Sequence, residues 1–219
     1  KELSGKEEIY ISYKLSESGD VTTLVISDGN KNYYIDANFS TLKEVFENEK
    51  IKKTVHDFKL LIKALRRLKI DLEGVDFDTM IAAYILNPGE RSYNFSKLIL
   101  SEFGEYAPQD PTDLLVFEAA ALERLKQALS PKIVATETNL VFKEIEMPLI
   151  PILANMEILG IKVNAKKLEI ISKKVEKDLR VLEKNIYKLA GRKFNINSPR
   201  QLSEILFGKL KISGALLGG

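Results

Sequence analysis

The chain of 219 residues contains no cysteine, no tryptophan and a single histidine, His56. Without cysteine it can form neither disulfides nor thiolate zinc sites, and one imidazole cannot make the histidine cluster typical of transition-metal sites. Only an oxygen-ligand site for an ion such as magnesium is left open. No apolar run reaches the roughly 18 residues of a membrane span, and the first residues are charged, unlike a signal peptide. We therefore expect a cytoplasmic protein that does not enter a membrane.

Charge is distributed unevenly along the chain. Residues 139–219 contain 15 Lys or Arg against eight acidic residues, whereas the preceding 138 residues contain 18 basic and 23 acidic residues. The hydrophobic fraction of 45% is sufficient for a core in one or two domains. A basic second part joined to an acidic first part indicates that the second part attracts a polyanion. A lysine-rich helix that is merely solvated explains the same charge, so both interpretations stay open.

Short runs of β-branched and aromatic residues dominate the first part. The runs at 8–15, 21–27 and 32–36 predict an antiparallel meander, with Asp28-Gly29-Asn30 as a turn. Thr41 and Glu44 have the spacing of a capping box that opens a helix. Further patterns predict strands at 51–55 and 75–77 and helices at 60–68 and 79–86. Strands before and between helices predict a mixed sheet with helices packed on it.

After residue 89 the pattern becomes helical. Asp110-Pro111 and Ser130-Pro131 each place a capping side chain before a proline, which predicts two helix starts. Pro148 and Pro151 are expected to bend a helix over 131–159. Apolar residues three or four apart predict a helix from Ala165 to Ala190 that ends at Gly191, and Ser198-Pro199 predicts the start of another.

Two segments resemble successive parts of one protein family. The segment 144–210, with Glu157-Ile158-Leu159-Gly160-Ile161 and Ser198-Pro199-Arg200-Gln201-Leu202, resembles the thumb of a family A DNA polymerase of the bacterial DNA polymerase I type. The segments 55–59 and 72–88 resemble the 3′–5′ exonuclease domain that precedes this thumb. The resemblance implies an RNase H-like α/β domain over 1–137 and an all-α partial thumb over 138–219. The tail 211–219 departs from the Lys-Thr-rich link of the family.

The resemblance also identifies five positions of the exonuclease site. An active domain binds two divalent cations with four acidic side chains, but Ser12 and Lys14 stand where the first two carboxylates belong, and Leu61 stands at the third. Glu118 keeps the fourth carboxylate, whereas Leu114 replaces the tyrosine that orients water. One acid in four cannot bind two cations, so we expect a degenerate domain without a metal site.

Three other polar residues could be mistaken for ligands. Asp76 and Asp78 form an Asp-x-Asp pair, but the segment has a structural role in the family and alternation at a strand end explains both. His56 in Val55-His56-Asp57 superficially resembles a motif of the polymerase palm, yet Phe58 replaces its glutamate. We expect His56 to be a partly buried or surface residue.

The thumb of this family contacts the phosphates of duplex DNA without reading bases. The resemblance places such contacts at a loop and helix start, and the opening of that helix offers backbone N–H groups to an anion beside an arginine. The alternative is that these side chains only cap the helix and shape the turn. The predicted DNA-binding residues are Asn195, Asn197, Ser198, Arg200 and Gln201.

These observations predict a fragment of a DNA-directed DNA polymerase. Its partners would be duplex primer-template DNA and the palm and fingers of the polymerase, and the parent would use magnesium. No residue of this chain is predicted to be catalytic, because the metal ligands of the palm and the binding helix of the fingers are not in the sequence. The alternatives are a residual 3′–5′ exonuclease that uses Glu118, and a scaffold module that binds DNA or protein.

Overall fold

The computed structural model describes residues 2–212, so most of the 211–219 tail lies outside the described residues. These residues fall into two compact units, and the chain boundary between the units lies between Gly160 and Ile161. The domain boundary after residue 137 stays a prediction about the family domains. None of the helices within 2–212 combines the length and the apolar composition that a membrane span requires.

The first unit is built on a five-stranded sheet. Strands β1 (Glu8–Leu15), β2 (Val21–Ser27) and β3 (Asn32–Ile35) form the predicted antiparallel meander. Strands β4 (Lys52–Val55) and β5 (Val75–Asp78) extend the sheet in parallel with β1, and the strand order is β3-β2-β1-β4-β5. The prediction of a mixed sheet is confirmed.

Among the described residues of the first unit, six helices flank this sheet. They are α1 (Lys43–Phe46), α2 (Phe58–Arg67), α3 (Thr79–Leu86), α4 (Phe95–Phe103), α5 (Pro111–Ala135) and α6 (Met147–Leu159). Helix α5 packs on β1 and on α3, and α6 packs on α2. The core between the layers includes Ile11, Val55, Leu61 and Leu125, all with no exposed surface.

Two predicted helix starts are wrong. Thr41 does not cap a helix, because its hydroxyl donates to the carbonyl of Asn38 at 2.8 Å and residues Phe39–Leu42 form a 3-10 turn. Ser130-Pro131 does not open a helix either, since α5 runs through Pro131 to Ala135. Leu125, Leu129 and Ile133 are buried along one face of α5. Packing of this face outweighs the backbone hydrogen bond that the proline removes.

The segment before α6 adapts to two prolines. Residues Val141–Glu146 form a π-helix that continues directly into α6, where Pro148 and Pro151 lie. A proline inside a helix removes a backbone donor, and the wider π turn is one way to accommodate the altered ladder.

The second unit is helical. Helix α7 (Ala165–Ala190) begins at the Asn164 cap and ends at Gly191, which adopts φ +67°, as the sequence predicts. Helix α8 (Pro199–Ser203) is capped by Ser198 and continues into a π-helix, Glu204–Lys209.

Candidate functional site

A cavity of about 570 Å³ opens in the first unit beside β1 and the end of β4. Its walls come from β1, from the residues after β4, from the start of α3, from the loop before α4 and from α5. The polar residues that line it are Ser12, Tyr13, His56, Asp57, Arg91, Ser92, Tyr93, Asn94 and Glu118. Of the five predicted exonuclease positions, Ser12 and Glu118 line the cavity, whereas Lys14, Leu61 and Leu114 do not.

Ser12 joins β1 to α5. Its side chain is buried, and its hydroxyl donates to the carbonyl of Leu115 at 2.6 Å. Lys14, two residues further along β1, is exposed, and Leu114 is half-buried. A serine at position 12 therefore makes an internal structural contact where the family pattern has a carboxylate.

Leu61 belongs to the core. It lies in α2 with no exposed surface. Helix α2 is capped by Asp57, whose carboxylate accepts from the Leu60 N–H at 3.2 Å. Asp57 adopts a left-handed backbone conformation (φ +62°), and its carbonyl accepts a hydrogen bond from the Tyr13 hydroxyl at 2.8 Å. The turn between β4 and α2 is thus fixed against β1.

Asp78 has a structural role, as the sequence indicates. Its buried carboxylate accepts from the Phe58 N–H at 2.7 Å and from the Met80 N–H at 2.8 Å. It also caps α3. Burial raises the pKa of Asp78 to about 6, against the opposing effect of these N–H donors. One carboxylate therefore ties the start of α2 to the start of α3.

Glu118 and Asp57 are the two carboxylates of the cavity. Burial raises the pKa of Glu118 to about 7, and burial also raises the pKa of Asp57. Both groups thus bind a proton more readily than ordinary surface carboxylates. A perturbed carboxyl group in a cleft is a common sign of a functional site, although buried structural groups show the same shift.

His56 is neutral at physiological pH. Burial lowers the pKa of His56 to about 4, and its Nδ1 lies 2.9 Å from the Thr79 hydroxyl. Its ring also packs edge-on against Phe95, with ring centroids 5.5 Å apart. The expectation of a partly buried histidine agrees with these contacts.

The residues of the cavity do not fit a pair of magnesium ions. A two-metal site needs several anionic oxygens to replace the water shells of both ions. Only Glu118 supplies a carboxylate at the predicted ligand positions, and the side chain of Asp57 caps α2. Across residues 2–212, no group of three or more His, Cys, Asp or Glu side chains is arranged to hold a metal.

The predicted DNA-binding residues come together in one turn of the second unit. The Asn195 N–H donates to the Gln201 side-chain oxygen at 2.9 Å, and the Asn197 N–H donates to the Asn195 side-chain oxygen at 3.0 Å. Ser198 caps α8 by accepting from the Gln201 N–H at 3.4 Å. The side-chain oxygens of Asn195, Ser198 and Gln201 therefore shape the turn and cap the helix, which is the structural role given above as the alternative to DNA binding. The amide NH₂ groups of Asn195 and Gln201 can still donate hydrogen bonds to another molecule.

Arg200 lies at the surface of this turn. Its side chain is 88% exposed, and its Nε lies 3.5 Å from the Glu204 carboxylate one helical turn away. Such an exposed ion pair is weak and can exchange for another anion. Of the five predicted contact residues, Arg200 is the one that carries a positive charge, and this charge is accessible.

The sequence did not point to the loop over the cavity. Arg91, Ser92, Tyr93 and Asn94 contribute to its wall. The only available signal was Asn94, which caps α4 by accepting from the Lys97 N–H at 2.8 Å. Asp57 could have been recognised by the same capping rule, since it directly precedes α2.

Two family models match the chain. One is described as DNA polymerase I, ribonuclease H-like domain and matches residues 12–111, and the other is described as DNA polymerase family A and matches residues 165–216. DNA polymerase I of Geobacillus stearothermophilus is 37% identical over 182 residues, which are 75% of this chain and 21% of that protein. DNA polymerase I of Bacillus subtilis is 34% identical over 200 residues, 81% of this chain and 23% of that protein. The chain thus spans about a fifth of the length of these curated relatives.

Solved structures agree with both parts. The POL domain of Pol1 from M. smegmatis, in complex with DNA primer-template and dNTP, matches with a TM-score of 0.77 at 26% identity, over 95% of this chain and 38% of that chain. Brucella melitensis NrnC shares the fold, with a TM-score of 0.60 at 14% identity over 72% of this chain and 87% of its own. The expected RNase H-like fold is confirmed, and the chain belongs to the family A DNA polymerases, as a portion with an exonuclease-like domain followed by polymerase sequence.

Proposed function

We propose that the chain is the structural, DNA-holding portion of a DNA-directed DNA polymerase that acts in replication and repair in the cytoplasm. The observation that carries this proposal is the succession of two polymerase family matches, residues 12–111 and 165–216, along one chain. The whole protein would transfer nucleotides to a primer 3′ end with magnesium supplied at its palm. This chain would contribute the degenerate exonuclease domain and part of the thumb.

The proposed contact with DNA centres on residues 195–201. The exposed guanidinium of Arg200 and the free amide donors of Asn195 and Gln201 suit phosphate oxygens, which accept hydrogen bonds from any sequence. Residues 161–212 carry 14 Lys or Arg against five acidic residues, so duplex DNA would be attracted to this unit. The expected interaction holds the duplex without reading its sequence.

Fluorescence anisotropy with a labelled primer-template duplex tests this assignment. Arg200→Gln is expected to weaken binding about threefold to tenfold at low salt, because it removes a charged phosphate contact. Arg67→Gln is the matched control, since Arg67 is also exposed and paired with a carboxylate, that of Asp20, but lies in the first unit. Equal losses for both variants would show that only overall charge matters, which would contradict a contact at Arg200.

The whole chain is expected to show neither polymerase nor exonuclease activity by itself. It contains no palm, and its cavity lacks three of the four acidic ligands that the exonuclease pattern requires. A primer-extension assay with magnesium and dNTPs tests the first point. Extension by the purified 24.7 kDa protein would contradict it.

A residual exonuclease is the second candidate, because Glu118 and Asp57 line the same cavity. The assay is trimming of a 5′-labelled single strand in magnesium or manganese, with Glu118→Gln as the comparison. We expect no shortening in either metal. Shortening that appears in manganese and disappears in Glu118→Gln would establish this second function instead.

A further inference from the structure

The segment that carries the predicted DNA contacts contains one acidic residue. Between Gly191 and Ile212 the sequence has five cations and a single carboxylate, that of Glu204. One oxygen of this carboxylate lies 3.5 Å from Nε of Arg200, and the other lies 3.8 Å from an Nη atom of Arg192. Each oxygen of one carboxylate therefore faces its own guanidinium group.

These two contacts are ion pairs without hydrogen bonds. Both distances exceed the roughly 2.7–3.2 Å of an N–H···O hydrogen bond. Arg124 shows the contrast, since it donates to both oxygens of Glu105, at 3.1 and 2.6 Å. The side chains of Arg192, Glu204 and Arg200 are 55%, 53% and 88% exposed. Exposed pairs at such distances contribute little to stability, so the Glu204 carboxylate can leave the arginines at little cost.

The backbone that carries these side chains is held by packing and hydrogen bonds. Lys209, at the end of the π-helix that begins at Glu204, donates from Nζ to the carbonyl of Ala190 at 2.6 Å and so joins this helix to the end of α7. Phe194 packs edge-on against Tyr187, with ring centroids 6.0 Å apart. The two arginines are therefore kept near each other by contacts that do not depend on the Glu204 carboxylate.

A carboxylate between two guanidinium groups resembles a bound phosphodiester. A phosphodiester of DNA also carries one negative charge on two oxygens, and arginine binds such oxygens through parallel N–H groups. Binding of a phosphate additionally releases counterions from the DNA, a gain that the internal ion pairs do not provide. A phosphate can therefore replace the Glu204 carboxylate between the arginines.

We propose that Arg192 and Arg200 form one phosphate-binding site and that Glu204 occupies this site until a phosphate of duplex DNA displaces it. The inference rests on the proposed function, because it adds a further contact and an internal competitor to the same DNA interface. The sequence predicted neither Arg192 nor Glu204 as part of that interface. Because Glu204 competes with phosphate, the affinity for DNA is lower than the cations of this segment alone would give.

Fluorescence anisotropy of the full chain with a labelled primer-template duplex at low salt tests the competition. Glu204→Gln preserves the side-chain shape and removes the charge, so it is expected to tighten binding about threefold to tenfold. Glu176→Gln is the matched control, because Glu176 is also exposed and paired with an arginine, Arg180. It should tighten binding by less than about twofold. Equal gains for the two variants, or weaker binding by Glu204→Gln, would overturn the proposal.

A double-mutant cycle locates the effect. In a chain that carries both Arg192→Gln and Arg200→Gln, the gain from Glu204→Gln should fall below about twofold, since the site that Glu204 occupies is then absent. A chain with Arg180→Gln and Lys184→Gln also loses two exposed cations of the same unit, and it should keep the full gain. A full gain without the two arginines would overturn the proposal.

Salt dependence separates a phosphate contact at Arg192 from a structural role. Arg192→Gln should weaken binding about threefold to tenfold and make the slope of log affinity against log salt concentration less steep by about 0.9, the value for one phosphate. Lys97→Gln removes an exposed cation of the first unit and should leave the slope unchanged. Circular dichroism verifies that each variant keeps its helices. Weaker binding with an unchanged slope would overturn the proposal, because Arg192 would then only support the turn.

The same titrations distinguish this inference from the proposed function. No duplex binding by the unaltered chain or by Glu204→Gln would defeat both together. Duplex binding that is insensitive to Glu204→Gln and to Arg192→Gln would defeat only this inference.

Discussion

At the scale of single residues, two of the predicted exonuclease positions, Ser12 and Leu61, have structural roles. Ser12 donates to a carbonyl of α5 at 2.6 Å, and Leu61 is completely buried in the core. A carboxylate at either position would have to be desolvated without a metal to neutralise it, which is costly. Glu118 keeps a carboxyl group in the cavity, and desolvation of its ionised form lowers the stability of the folded chain.

The pKa of Glu118 leads to a prediction about stability. Burial raises this pKa from 4.5 to about 7, so the folded chain binds the proton more tightly than the unfolded chain does. The stabilising contribution is complete below pH 4.5 and is lost as the pH rises through 7. Glu118→Gln should therefore raise the free energy of unfolding at pH 8, by up to about 3 kcal/mol, and have little effect at pH 4.5.

Urea unfolding at both pH values measures this difference. Glu44→Gln is the control, because Glu44 is an exposed glutamate of α1 in the same unit. If Glu118→Gln destabilised the protein equally at both pH values, the carboxyl group would be making a favourable contact, not carrying a desolvation penalty.

Asp78 provides a second test. Asp78→Ala leaves the N–H groups of Phe58 and Met80 without their buried acceptor and removes the cap of α3. We expect a loss of about 3 kcal/mol in the free energy of unfolding, measured by urea titration. Asp110→Ala removes the cap of α5 at an exposed site and should cost only about 1 kcal/mol. Similar losses for the two variants would mean that Asp78 acts only as a cap.

At the scale of elements, local sequence rules worked where no tertiary contact opposed them. The sequence predicted the meander, the helix from Ala165 to Ala190 and its stop at Gly191, because alternation, periodicity and capping specify these features locally. It failed at Ser130-Pro131, where the buried face of α5 keeps the helix intact. The sequence also could not predict that the loop around Arg91 lines the cavity, because only the folding of distant segments brings this loop near Glu118.

Pro131 tests this explanation. If packing maintains α5 against the missing hydrogen bond, Pro131→Ala should restore a donor to the last turns and stabilise the first unit by about 1–3 kcal/mol. Thermal and urea unfolding, followed by circular dichroism, measure the change. Pro111→Ala is the comparison, since Pro111 lies in the first turn of α5 and should have almost no effect. Destabilisation by Pro131→Ala would show that the proline ring itself is needed in the packing.

At the scale of the whole molecule, charge and fold are divided in the same way. The first 160 residues form an α/β unit in which acidic residues outnumber basic ones, and residues 161–212 form a strongly basic helical unit. DNA binding is therefore expected to depend on one unit and on counterion release.

This division predicts the salt dependence of binding. The logarithm of the affinity for duplex DNA should fall linearly with the logarithm of the salt concentration, with a slope of about −0.9 for each phosphate neutralised. Lys177→Glu with Lys184→Glu should make the slope less steep, because both lysines are exposed on α7 in the basic unit. Lys6→Glu with Lys97→Glu changes the net charge equally but lies in the first unit, and it should leave the slope unchanged. Anisotropy titrations at four or more salt concentrations give the slopes, and equal effects of the two pairs would mean that DNA responds to net charge and not to the helical unit.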